Sequence, residues 1–574
     1  PQQGDFAIAG SININLGVER RGLLARSSYG SFNTFRQLLL WAPKEARDDT
    51  FAAVQFRRSD GFGDNRNSLG ASSMMQYGFG NGPWRFRLTG IAHGIRARTA
   101  GVLRRDDIDA GRVGFYRSYD HPTADNQNAL STRAIIGFSG EHRAANGANA
   151  EVGLWLSHDV FRLQANYTGF VERSEFNSDW VGRGDLIEQQ NRTTSLGLHA
   201  RFRTKPYKPA SWFRSTIEVG LATRLDLIEQ AQFLIQAPQN QTWDERDDAD
   251  IRGTDIGVYG DLAVDLTDFV SLRVGARADI LVYEIDDRLG NRIPDFRADS
   301  FIVGFRRSAF GVAAGPRASA VVRPAPWLSF LASYGEGFRS PQARTLDDGE
   351  TAPFSKVRGG DLGAQITVEE QLELRASGFY TRLSDDVAFE PREGRLERIG
   401  ATRRLGATVH MTLRPVPWLV AAGSLTYVDA ELLEPPPATA DDPQPPFEEG
   451  QNLPYVPPWV LRLDVGAQGA LGRIGSEDLR GRIGVGFNHL SSRPLPFGES
   501  AAPVSLLDAA ASIGWGPVEL GVQAFNLADA RYAAFAFNFA SDWNTGGGAR
   551  SRLPARHIAA GAPRTVMFTL ELHL

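Results

Sequence analysis

Arginine set beside tyrosine and phenylalanine is a pattern suited to an anionic aromatic ligand. The guanidinium supplies charge and a flat donor fork, and the rings supply stacking and cation–π surface. The stretch RRDDIDAGRVGFYRSYDH concentrates this chemistry in Arg104, Arg105, Arg112, Phe115, Tyr116, Arg117 and Tyr119. A second group near the end of the chain combines Phe535, Phe537, Phe539 and Trp543 with Arg552. Trp180, Trp243, Phe338 and Arg339 are further candidates of the same types, each expected in a connection between strands. The competing reading of every such cluster is a loop packed on itself with a solvated charged face.

Other chemistry is weakly signalled. QTWDERDDAD places the five carboxylates Asp244, Glu245, Asp247, Asp248 and Asp250 together, and oxygen-rich loops can bind Ca²⁺. The run lacks the glycine and distal glutamate of an EF-hand loop, so a solvated loop fits it better. Nine histidines are scattered with no pair at metal-ligand spacing. No G-x-S-x-G elbow stands out. No catalytic residue, metal site or cofactor is expected.

Those side chains must be held by some framework, and the framework is legible as a period of two. In WRFRLTGIAH, Trp84, Phe86 and Leu88 face one way while Arg85, Arg87 and Thr89 face the other. SLRVGARADILV sets Leu272, Val274 and Ile280 against Arg273, Arg277 and Asp279. TVMFTLELHL sets Val566, Phe568 and Leu570 against Thr565, Thr569 and Glu571. From Leu23 onward this alternation counts to 22 strands. Alternation alone fits either soluble sandwiches, with the apolar face inside, or a membrane barrel, with the apolar face outside and charged residues lining a wet lumen.

The connections favour the barrel. GFGNGP, LTD, RPAP, RPVP and WGP are short, and they alternate with long stretches at 93–128, 171–190, 236–250, 284–309, 339–355, 430–457 and 527–562. Short turns on one side and long loops on the other characterise outer-membrane barrels, and soluble domains seldom repeat loops of such length. An even strand count returns both ends to the short-turn side. Trp41, Trp84, Trp327, Trp418, Trp459 and Trp515 then read as interfacial girdle residues. No run of 18 apolar residues exists, so a transmembrane helix is not expected. With no cysteine and a net charge of −5, disulfide scaffolds, thiolate chemistry and a nucleic-acid partner all lose support.

Five segments resemble the TonB-dependent outer-membrane receptors. FAIAGSININLG is similar to the last strand of their plug domain, and ASYGEGFRSPQARTL to a mid-barrel segment. NLPYVPPWVLRLDV is similar to the Pro-flanked start of a late strand. VELGVQAFNLADARYAAF with GAPRTVMFTLELHL resembles the C-terminal signature. The resemblance implies residues 1–17 as the last plug strand and 18–574 as the barrel, with most of a plug expected ahead of Pro1. The chain departs from the pattern in ending on Leu574, where these barrels usually end in an aromatic.

What the resemblance implies is import across the bacterial outer membrane, powered through a TonB complex that engages an N-terminal segment. The cargo would be a scarce ligand, a ferric siderophore first, with cobalamin or carbohydrate as alternatives. A passive pore and a surface anchor are competing classes. An enzyme barrel lacks a catalytic constellation.

Overall fold

The computed structural model describes residues 14–45, 49–171, 182–289, 305–339, 350–351, 354–391, 394–435, 447–544 and 551–574. Trp180, the QARTL part of the mid-barrel segment and all but the last four residues of the proposed plug strand 1–17 lie outside the described residues.

Twenty-two antiparallel strands form one closed wall, each hydrogen-bonded to its neighbour in sequence. Two short strands, Tyr207–Ala210 and Glu350–Thr351, add to the same sheet. Closure occurs where the first strand, Gly22–Gly30, pairs with the last, Thr565–His573, from Leu24 opposite His573 to Gly30 opposite Met567. The two ends meet on the short-turn side: Leu23 and Leu574 exchange backbone hydrogen bonds of 2.8 Å in both directions. Gly22 is required at this seam. Its φ is +114°, and a Cβ there would lie 2.3 Å from the Leu574 carbonyl oxygen.

The side-chain period sorts the two faces as expected. Val258, Val274, Val312, Val465 and Ile483 stand exposed on the outside, where lipid rather than water meets them. The opposite parity carries charge and is satisfied internally. Arg277 binds Asp279 at 2.5 Å, Arg273 binds Asp261 at 2.6 Å, and Glu218 accepts from both Arg203, at 2.6 Å, and Tyr259, at 3.1 Å. Arg273, Arg277 and Asp279 are thus on the lumenal parity. Trp41, Trp84, Trp327, Trp418 and Trp515 sit at the short-turn rim and Trp459 at the other, against Tyr427 with ring centroids 4.6 Å apart.

Several expected loops are shorter than the sequence suggested. The stretch 236–250 is not a loop: Phe213–Gln236 and Gln241–Leu266 are strands of 24 and 26 residues joined by a turn of four. QTWDERDDAD therefore lies in a strand. A crossing needs only about 9–11 residues, so both strands continue well beyond the membrane. Out there both faces are wet and the apolar alternation that marks a membrane strand is no longer required. The stretches 93–128, 284–309 and 430–457 are trimmed in the same way, by strands running to Arg98, Asp287 and Glu434. The stretch 527–562 holds structure of its own, the strands Ala533–Ala540 and Pro554–Ala560.

Just before the first strand, the carbonyl of Leu16 accepts a 3.2 Å hydrogen bond from the buried amide of Gln76. Gln76 lies on the strand Ser68–Phe79, on the parity opposite the exposed Met75 and Tyr77. The chain therefore approaches its first strand along the lumenal side of the wall.

The facing rule gives a test. Val485 lies outward in the middle of the strand Glu477–Leu490. Val485→Arg should destabilise the barrel by about 2–4 kcal/mol in urea-dependent folding into bilayers, whereas Gln468→Arg, on the lumenal parity of the adjacent strand, should leave it nearly unchanged.

Candidate functional site

The long-loop end is a structured roof. Leu103–Arg104 adds to the hairpin formed by Ala533–Ala540 and Pro554–Ala560, giving a three-stranded sheet whose strands come from two connections far apart in sequence. A third connection joins it at Gly169, which bridges Asp542; Phe170 donates to the Asp542 carbonyl at 3.0 Å and Asp542 to that of Thr168 at 3.0 Å. Backbone pairing of this kind fixes loops that would otherwise be too polar to pack.

The candidates from RRDDIDAGRVGFYRSYDH largely serve this roof. Arg104 holds Asp106 at 2.7 Å and donates to the carbonyl of Ser541. Arg105 pairs with Asp109 at 2.9 Å along the short helix Arg105–Asp109. Arg112 reaches Asp107 at 2.5 Å, and the Tyr119 hydroxyl donates to the other Asp107 oxygen at 2.5 Å. Burial, reinforced by that carboxylate, pushes the Tyr119 hydroxyl pKa well above its ordinary value, so it remains a donor. The Tyr119 ring stacks on Trp543, with centroids 4.3 Å apart and planes 12° apart. Arg117 pairs with Asp64 at 2.9 Å. Phe115 packs edge-on against Tyr116 at 5.0 Å, and Tyr116 against Phe62 at 6.2 Å.

The remaining described candidates are dispersed. Trp243 lies under the guanidinium of Arg183 at 5.9 Å. Phe338 is buried against Phe354, with centroids 5.4 Å apart, in an apolar cluster with Ile251, Leu281 and Tyr283. Arg339 donates to the carbonyl of Asp385 at 3.4 Å.

Phe537 is placed differently. It meets Phe389 at 5.7 Å and Tyr455 at 5.8 Å, and Phe389 meets Tyr167 at 5.2 Å. Tyr167 follows the seventh wall strand, Asn149–Ala165. Phe389 ends the fifteenth, Leu372–Glu390. Tyr455 follows the seventeenth, Leu419–Glu434, and Phe537 follows the twenty-first, Val518–Phe525. Four partly buried rings from distant parts of the chain therefore converge across the mouth. Gln189 spans the same gap, donating to the carbonyl of Gly394 at 2.6 Å. Such rings offer a flat apolar surface for stacking. Tyr167, Phe389 and Tyr455 were missed in the sequence because none sits in a cluster of arginine and aromatics, and only closure of the barrel brings them together.

This geometry, a closed 22-strand wall with its loops knit over one end, has a known counterpart. Residues 55–550 match the model of the TonB dependent receptor-like β-barrel. The chain belongs to that family. It is a TonB-dependent receptor barrel of the bacterial outer membrane, in a family of receptors and transporters rather than enzymes. The siderophore receptor PiuA from Acinetobacter baumannii is similar in structure, with a TM-score of 0.73 and 14% identity over 99% of this chain and 84% of that one. The ferric-catecholate import receptor Fiu from E. coli K12, in its closed form, gives a TM-score of 0.72 and 15% identity over 98% and 83%. The ferric yersiniabactin uptake receptor FyuA from Yersinia pestis gives 0.70 and 14% over 100% and 84%. At such identities the likeness is one of fold. No curated protein sequence matches the receptor.

The roof of the receptor carries a pH-dependent element. His557 is buried in the hairpin, stacked on Phe539 at 3.9 Å, with Nδ1 donating to the Ala555 carbonyl at 2.7 Å and Nε2 accepting from Ser541 at 2.6 Å. Burial, aided by the Arg104 charge, pulls its pKa down to about 3. Because the folded pKa lies below the unfolded value, acid protonates the opened hairpin before the closed one. The stabilisation is complete above about pH 6.5, the unfolded histidine value, and is lost progressively as pH falls towards 3. Hydrogen exchange of residues 533–540, corrected for intrinsic rates, should lose protection between pH 7 and pH 4.5, and His557→Gln should remove most of that dependence.

Proposed function

We propose that the receptor imports a scarce ligand actively, a ferric siderophore, drawing on a TonB complex that engages a segment N-terminal to the barrel. Within this reading residues 1–17 are the last strand of a plug and residues 18–574 the barrel. The path of Leu16 along the lumenal side of the wall agrees with a domain seated inside. A barrel of this width encloses a lumen that needs a plug to keep the membrane sealed.

The observation that carries the reading is the convergence of Tyr167, Phe389, Tyr455 and Phe537 across the mouth. Import of a rare solute requires high affinity at the outer face, and partly exposed aromatic rings on anchored segments supply stacking area with little ordering cost. Among the relatives in fold, Fiu is described as a ferric-catecholate import receptor, FyuA as a ferric yersiniabactin uptake receptor and PiuA as a siderophore receptor, which supports the same class of cargo here. Binding and coupling are separate steps. The mouth selects, and the pull on the plug releases.

Uptake of radiolabelled iron as siderophore complexes, by cells lacking other receptors and expressing this one, tests the reading. Accumulation should require both TonB and the proton gradient, and iron entering equally well without TonB would point to a passive pore instead. Phe537→Ala should raise the dissociation constant of the transported complex by about tenfold, the loss of one stacking partner, without changing the amount of barrel in the membrane.

A further inference from the structure

One sector of the lipid-facing wall is hollowed. It spans the strands Trp459–Ile474, Glu477–Leu490, Val504–Trp515, Val518–Phe525 and Thr565–His573. A groove of about 910 Å³ crosses these strands, and its lining is nearly all apolar. Small residues make the floor: Gly469 lies opposite Gly481, with Ala467 and Ala511 beside them. The walls are Trp418, Leu471, Ile513, Leu520 and Phe568, each with an exposed side chain. Floor and walls share the outward parity of Val465, Ile483 and Val485. The groove therefore opens to the bilayer and not to the lumen.

Its depth decides what enters it. Trp418 lines one end, at the short-turn rim, where interfacial tryptophans mark the membrane surface. From there the groove rises into the apolar band as far as Phe568, near the middle of the last strand. Water finds almost no polar partners on such a lining. Left unfilled, the lining would lose its dispersion contacts. The groove is continuous with the surface that meets lipid, so hydrocarbon fills it. A chain resting on Gly469 and Gly481 comes closer to the backbone than one resting on valine or leucine, as small residues permit between membrane helices. Five strands about 4.8 Å apart span about 19 Å, comparable with the roughly 15 Å covered by one leaflet of a hydrocarbon core about 30 Å thick. The ladders in this sector are short. Ala509–Trp515 pairs with Val518–Ala524, and Leu24–Gly30 closes the seam against Met567–His573, whereas Phe213–Gln236 is paired along its whole length. A chain laid across these strands adds contacts where backbone pairing is brief.

We propose that this groove is a binding site for one acyl chain of an inner-leaflet phospholipid, held as a structural lipid that braces the strands leading to the seam. The short turns place the Trp418 end on the periplasmic side, which assigns the lipid to that leaflet. Recognition is of the chain, so phosphatidylethanolamine and phosphatidylglycerol are held alike.

The test is native mass spectrometry of the full chain, delipidated in detergent and titrated with palmitoyl-oleoyl phosphatidylethanolamine or the matching phosphatidylglycerol. Wild type should keep one phospholipid through collisional activation that strips the others. Its unfolding midpoint should climb with phospholipid concentration, as binding to the folded state alone requires. A Cβ at Gly469 meets nothing within 4 Å, so Gly469→Leu fills the floor without a clash. It should lose both the retained lipid and the concentration dependence. Gly260→Leu is the control and should keep both. Gly260 shares the outward parity of Val258 on the strand Gln241–Leu266, away from the groove, and a Cβ there also meets nothing within 4 Å. Ala511→Leu fills the other end of the floor and should match Gly469→Leu, so a folding defect in one variant leaves the other to decide. Gel mobility before and after heating reports which variants form the barrel. Wild type keeping no phospholipid overturns the proposal. So does a folded groove-filling variant that keeps the lipid like wild type. An equal loss in Gly260→Leu also overturns it, by making the retained lipid an ordinary neighbour of the whole wall.

Discussion

A bilayer offers no water to a backbone N–H or C=O, and every other feature of this receptor follows from that constraint. Each unpaired group in hydrocarbon costs several kcal/mol, so a β structure can cross only if its sheet has no edge. The seam between Gly22–Gly30 and Thr565–His573 removes the edge by joining residues more than five hundred positions apart in sequence. The rest of the wall is made of local antiparallel pairs, and this one pairing turns them into a barrel. It also explains a glycine at position 22, where the approach of the Leu574 carbonyl leaves no room for a side chain.

Once the wall is closed, its two faces live in different solvents. Outside, valine, isoleucine and leucine are exposed to lipid without penalty. On the lumenal parity, charge is tolerated because it is paired: Arg277 with Asp279 and Arg273 with Asp261 are cross-linked guanidinium–carboxylate contacts within or between neighbouring strands. Arg277 and Asp279 are both buried, so removing one partner would strand a buried charge at a large cost, whereas the half-exposed Arg273 adds little net stability through its pair. Above the membrane the same strands continue as a wall wetted on both sides, which is where Phe213–Gln236 and Gln241–Leu266 reach their full length.

The extracellular end solves a different problem, the positioning of long polar segments. It does so by spending its charges. Asp107 accepts from Arg112 and Tyr119, Arg104 reaches across to Ser541, and a three-stranded sheet joins two connections. Arginines that looked suited to a ligand are used as struts. A strut and a ligand anchor have the same sequence signature, and only the presence or absence of a carboxylate partner in space separates them.

The sequence by itself determined the class of the molecule. Strict alternation, short turns interleaved with long connections and the C-terminal signature specify an outer-membrane barrel of 22 strands, because side-chain period and bilayer thickness are local constraints written in consecutive residues. Strand ends above the membrane were not legible: in DERDDAD both faces are solvated, so alternation between apolar and polar vanishes although the strand continues. The candidate site was legible only in part. Phe537 was visible as one of an aromatic group, whereas Tyr167, Phe389 and Tyr455 stand outside any arginine–aromatic cluster, and Trp543 proved to be a stacking partner for Tyr119. Which rings meet, and which arginines brace the roof, depends on how distant connections fold over a closed mouth. That is decided by contacts between residues hundreds of positions apart, and only the tertiary structure contains them.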